Sequence, residues 1–182
     1  MQVAEAQREV RSVYLGGSVG QLVSGLLWLV SAALGTWVSS RSAIATLLFG
    51  GCLIFPLTTL GLKLLGGRAA LARDNPLGAL GAQIAFTVPI GLLVALGATR
   101  HRLEWFYPAC MLIVGAHYLP FVFLYGMRIY ALLAALLVAG GVLLGLYLPV
   151  SFALGGWLVG GMLLAFALLL RVAWAREARG QA

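Results

Sequence analysis

Six apolar stretches dominate this chain, at about 15–38, 43–65, 77–98, 105–125, 128–148 and 151–172. An α-helix needs about 20 apolar residues to cross the ~30 Å hydrocarbon core of a bilayer, so each stretch is long enough to span. Barrel strands would read as alternating segments of about ten residues, and that pattern is missing. The residue count agrees, with 62% apolar and 9% charged side chains. So few polar groups cannot cover the surface of a water-soluble fold. The expected fold is all-α: one transmembrane domain over residues 1–182, a polytopic six-helix bundle with no soluble domain. The first stretch is too long, and too poor in a cleavage site, for a removable signal peptide.

Charge predicts orientation. With a cytoplasmic N-terminus, the inner segments hold Arg8, Arg11, Lys63, Arg68, Arg73, Arg128, Arg171, Arg176 and Arg179, and the outer ones hold Arg41, Arg100 and Arg102. Nine against three is a positive-inside bias, so both termini are expected in the cytoplasm. The net charge of +7 then implies contact with the lipid bilayer and attraction to anionic lipids at the cytoplasmic face. Nucleic acid is excluded as a partner, because no soluble element presents a basic face.

Shorter signals fill in the ends. Residues 1–14 place Val3, Ala6, Val10 and Val13 or Tyr14 on one helical face, which predicts a short interfacial helix leading into the first span. Before the third span, Asp74 or Asn75 can cap a helix that Pro76 opens. Trp105 and Tyr107 are expected in an aromatic belt at the outer interface. Cys52 and Cys110 read as buried apolar residues without metal or redox spacing. Small residues at four-residue spacing (Gly16, Gly20 and Ser24; Gly141 and Gly145; Gly156 and Gly160) let helices approach closely in lipid. They serve packing within the chain or, on helices 5 and 6 of the bundle, a homo-oligomer.

No acidic residue falls inside a span, since Glu5, Glu9, Asp74, Glu104 and Glu177 all lie at ends or in loops. That argues against a carboxylate-driven pump, paired-carboxylate catalysis and a hard-metal site. Neither a cofactor nor a metal is expected. The segment GGSVG at 16–20 matches G-x-S-x-G, with His117 as a nominal base. That motif works on a strained strand-to-helix turn, however, and here Ser18 opens a membrane helix with no orienting acid.

The remaining polar side chains fall at one depth. At 1.5 Å per residue, Gln21, Thr58, Gln83 and His117 lie roughly 10 Å from the cytoplasmic surface on the first four spans. Ser24 shares a face with Gln21, Thr87 with Gln83, and Tyr118 adjoins His117. Pro56, Pro89 and Pro120 are expected to kink their helices, leaving the carbonyls of Cys52, Ala85 and Ala116 without helical partners. Together these residues predict a polar cavity among the first four helices, with His117 as a neutral imidazole. The leading functional expectation is a channel or facilitator for a small, weakly polar or uncharged solute. The alternatives are a non-catalytic membrane subunit or lipid or hydrophobic-ligand binder, and, more remotely, an intramembrane enzyme.

The stretch EAQREVRSVYLGGSVGQLVSGLLWLVSAALGTW resembles the opening of a family of small bacterial six-helix membrane proteins known only as a domain of unknown function. The similarity covers most of the chain and rests on no catalytic motif. It implies a multi-pass protein of the bacterial cytoplasmic (inner) membrane and brings no substrate or site residues.

Overall fold

The computed structural model describes residues 1–148 and 151–180. Residues 149, 150, 181 and 182 of the expected single domain lie outside the described residues. The helices are α1 (Val3–Val13), α2 (Ser18–Trp37), α3 (Ser40–Gly51), α4 (Ile54–Leu64) and α5 (Leu77–Thr99), then α6 (Phe106–Tyr125), α7 (Ile129–Val142) and α8 (Leu154–Gly180). Short 3-10 turns at Leu15–Gly17 and Leu103–Trp105 lead into α2 and α6, and a π-helical turn at Leu143–Tyr147 extends α7. Among the described residues there is no strand. Five helices among the described residues are long and apolar enough to span a membrane, and a bent pair, α3 and α4, makes a sixth if the two form one broken span. The chain is an all-α, multi-pass membrane protein.

The span expected at 43–65 is broken. The axes of α3 and α4 differ by 58° across a short break. Gly50, Gly51 and Pro56 account for it: glycines weaken a helix, and the proline removes a donor next to the break. Pro56 therefore sits in the first turn of α4 rather than in mid-helix, whereas Pro89 and Pro120 lie inside α5 and α6. The last helix runs past residue 172 to Gly180. At 27 residues it is about 40 Å long, more than the bilayer core needs.

The spans form two rows. One is α3/α4, α2 and α8; the other is α5, α6 and α7, and the rows also meet at their edges through α7–α8 and α3–α5. Their central helices, α2 and α6, face each other through aromatic rings, with Trp28 and Tyr107 centroids 5.8 Å apart. Tyr107 is fully buried, not in an interfacial belt. Its hydroxyl lies 2.7 Å from Ser31 Oγ, which donates to the Ala43 carbonyl at 2.9 Å. A polar tip that finds partners in the core has no need of the interface.

Glycines set the close approaches within and between the rows. A methyl group at Gly160 would lie 3.1 Å from the Leu29 backbone nitrogen, and one at Gly156 would meet Tyr107 and Ala32. At Gly141 and Gly145 the neighbour is Pro108 of α6. The small-residue faces of α7 and α8 are thus filled within the chain.

Helix α1 lies across the end of the bundle where α2 begins. Its apolar residues Ala6, Val10 and Val13 are buried against the protein. Arg11 donates from Nε and Nη2 to the Glu177 carboxylate, at 2.9 and 2.7 Å, and from Nη1 to the Tyr125 carbonyl at 2.6 Å. Gln7 donates to the Phe123 carbonyl. The charge-assisted bonds of Arg11, with that of Gln7, tie α1 to the ends of α6 and α8.

The turn from α1 into α2 is left-handed over three residues: Leu15 (φ 51°), Gly16 (φ 66°) and Gly17 (φ 86°). Tyr130 donates to the Gly16 carbonyl at 2.8 Å and holds it. At Gly17 a Cβ would collide with the Tyr130 hydroxyl, and a left-handed non-glycine residue costs about 1–3 kcal/mol in any case. Gly17→Ala is therefore expected to lower the thermal unfolding midpoint in detergent. Gly161→Ala, where nothing lies within 4 Å, is the control and should leave it unchanged.

Candidate functional site

The polar side chains predicted to form one layer are partly joined. Gln21 and Tyr118 are buried, and Tyr118 Oη donates to Gln21 Oε1 at 3.2 Å, linking α6 to α2. Next to Tyr118, the His117 ring stands edge-on to it with centroids 5.5 Å apart. His117 Nδ1 lies 3.0 Å from the Ile84 carbonyl and 3.1 Å from Thr87 Oγ1, and Thr87 donates to the same carbonyl at 2.7 Å. A carbonyl can only accept, so this network assigns the proton to Nδ1 and leaves Nε2 as an acceptor. The carbonyl satisfied from outside its helix is Ile84, one residue before the predicted Ala85, in the turn preceding Pro89. The chain Gln21–Tyr118–His117–Thr87 thus crosses α2, α6 and α5.

Three predicted residues stand apart from it. Ser24 is buried one turn along α2 from Gln21. Thr58 packs on Gly20 of α2, and its Oγ1 is buried without a hydrogen-bond partner among the described residues. Gln83 is exposed on α5, one turn from Thr87 and turned out of the bundle. Pro120 lies on α6 three residues beyond His117.

A hollow opens elsewhere. A shallow cleft of about 530 Å³ opens at the α1 end, between Phe55 of α4, Gly78 and Ala79 at the start of α5, Tyr14, and the connecting residues 69–76. A second hollow of about 170 Å³ lies at the far end, between Trp105, Pro108 and Gly145. Neither is lined by Gln21, Thr58, Gln83, Thr87 or His117. Sequence reading missed the larger cleft because its wall is a loop whose path no periodicity dictates. The available signal was Asn75, foreseen as a cap.

Asn75 holds that wall. Its Oδ1 accepts from the Leu77 N–H at 2.9 Å, capping α5, and its Nδ2 donates to Glu9 Oε2 at 2.8 Å. Glu9 Oε1 accepts from the Ala72 N–H at 2.8 Å. One carboxylate on α1 therefore fixes two points of the connecting segment. These bonds hold the Glu9 carboxyl below its ordinary value, Asn75 first and Ala72 next, with a smaller pull from Arg68 and an opposing effect of burial. Tyr14, at the cleft's base, is pushed up by burial and by the Glu9 charge, so it stays a neutral phenol.

The remaining chemistry is sparse. Ser18 donates to the Leu15 carbonyl at 2.8 Å, while His117 bonds to α5, so the nominal nucleophile and base direct their bonds elsewhere. Among the described residues no three His, Cys, Asp or Glu side chains gather in one place.

The Glu9 contacts have a pH signature. A depressed folded value means the contribution is complete above the ordinary value of 4.5 and fades as pH falls through the lower folded value. Glu9→Gln should therefore be less stable than the wild type at neutral pH. That difference should shrink as pH drops below 4.5, read by thermal unfolding in detergent across a pH series.

Comparison with known proteins returns no match among curated proteins and none among solved structures. A family model does match, covering residues 3–173. With nearly all of the chain inside that match, the protein belongs to the family of unknown function DUF7010.

Proposed function

We propose that the protein is a non-catalytic multi-pass membrane protein that binds a lipid-like amphiphile in the cleft at the α1 end. One observation carries this reading: the cleft is one-sided. Its volume of about 530 Å³ falls within the roughly 300–1,000 Å³ range of small-molecule sites. Phe55, Leu71 and Ala79 give it apolar walls, and Arg73 and Asp74 give it a polar rim. An acyl chain would lie between α4 and α5, and an anionic head would meet Arg73, with Arg68 and Lys63 nearby in sequence. The positive-inside bias supports a cytoplasmic position for this end.

A through-channel is less well supported. Beyond the polar layer, the bundle is filled by Phe106, Tyr107 and Trp28, at 0–3% exposure, with Phe152 against the first two. Gln21, Tyr118, His117 and Thr87 act on one another as ties between helices.

The test is native mass spectrometry of protein released from vesicles of phosphatidylglycerol or phosphatidylcholine. Retention of phosphatidylglycerol is expected. Arg73→Ala should weaken it about fivefold, the effect of roughly 1 kcal/mol from one basic residue near an anionic surface. Ala79→Trp should fill the cleft and abolish retention; wild-type retention in that variant would refute the site.

A second reading, a facilitator for a small, weakly polar or uncharged solute, is favoured by the unpartnered Thr58 hydroxyl. Buried polar groups in a membrane protein need a partner, and a passing solute or water would supply one. On this reading glycerol enters protein-containing liposomes above background, and Thr58→Val and His117→Ala both slow it. Background flux for all three proteins would end the reading.

A further inference from the structure

Gln83 is the one strongly polar side chain that a spanning helix turns outward in this layer. Helix α5 has 23 residues and is therefore about 34 Å long, just enough to cross the core. Gln83, six residues from its start, lies roughly 7 Å inside the hydrocarbon on that measure. Lipid tails offer an amide neither donor nor acceptor, and among the described residues no hydrogen bond reaches its side chain. Burying an unpaired amide in hydrocarbon is costly, so its partner comes from outside the chain.

The rest of the same face is built for another helix. α5 buries only Leu77, Ile84, Leu92 and Ala95, a single stripe against the bundle. On the open side, Gln83, Phe86, Ile90, Leu93 and Gly97 follow alternating three- and four-residue steps and are all exposed. This is a heptad seam, with Gln83, Ile90 and Gly97 seven residues apart at equivalent positions. Nothing lies within 4 Å of a Cβ built on Gly97, so a neighbouring backbone can approach there.

We infer that this face of α5 is the contact between two copies of the chain. Copies inserted in the same orientation are related by a twofold axis along the membrane normal, which brings equal depths together. Gln83 then meets Gln83 of the other copy, and each carboxamide donates to and accepts from its mate. A lone polar residue in an apolar seam also sets register. The contact uses α5 rather than the glycine faces of α7 and α8, which are already filled.

The test uses the full chain with Cys52→Ser, in which Cys110 stays buried. Gln83→Cys and Ile90→Cys, placed singly, should each form a disulfide-linked dimer in vesicles under mild oxidation. Leu158→Cys on exposed α8 should not. Independently, single-molecule photobleaching in vesicles should give dimers for the wild type. Gln83→Leu should weaken the dimer about tenfold, the scale of one or two interhelical hydrogen bonds in lipid. A wild type that stays monomeric, cross-links through Leu158→Cys instead, or full dimerisation of Gln83→Leu would each overturn the inference.

Discussion

Hydrocarbon offers no hydrogen-bonding partner, and most of this structure follows from that. A polar group placed within the spans must find its partner in protein, in water or in a bound molecule. Ser31 is answered by Tyr107 and the Ala43 carbonyl, Gln21 by Tyr118, and His117 by Ile84 and Thr87. Each tie joins different helices, so satisfying the group and fixing the helix are one event. Besides these ties and the bond from Tyr130 to the Gly16 carbonyl, the two rows of helices have little of directional character between them, and apolar packing alone would let α2 slide against α6. Tyr107 and Tyr118 set their register.

The α1 end obeys a different rule, because water and charge are available there. Arg11 pairs with Glu177 across 166 positions of sequence, and Glu9 reaches the segment before α5. α1 thus works as a strap across the ends of α5, α6 and α8, and its acidic residue shapes the cleft wall. The bend between α3 and α4 contributes from the other side. At the far end α3 packs against α5, whereas α4 diverges by 58°, and the cleft lies where the two part. The proposed ligand site therefore arises from a broken span and a docked amphipathic helix, not from the intramembrane polar residues.

The polar layer was legible as a depth. Counting residues from the span ends put Gln21, Thr58, Gln83 and His117 at one level, because a helix converts residue number into height at a fixed rise. Rotation about each helix was less legible. Gln83 and Thr87 share a face, yet Thr87 reaches His117 while Gln83 points outward, a difference of one turn and a slight change of angle. Tyr107 shows the same limit. An aromatic residue near a span end suits an interface equally well, and only Ser31 on a different helix draws it into the core.

The sequence by itself determined that this chain is an all-α membrane protein and which of its stretches are apolar and long enough to cross a bilayer. Those properties depend on length and hydropathy along one helix, and each helix is fixed by its own residues. Only the tertiary structure decided which polar groups answer one another and which face of α5 is left uncovered. Those are relations between helices distant in the chain, set by glycine approaches such as Gly160 on Leu29 and by partners such as Arg11 and Glu177. No local pattern encodes a contact whose two halves lie more than a hundred residues apart.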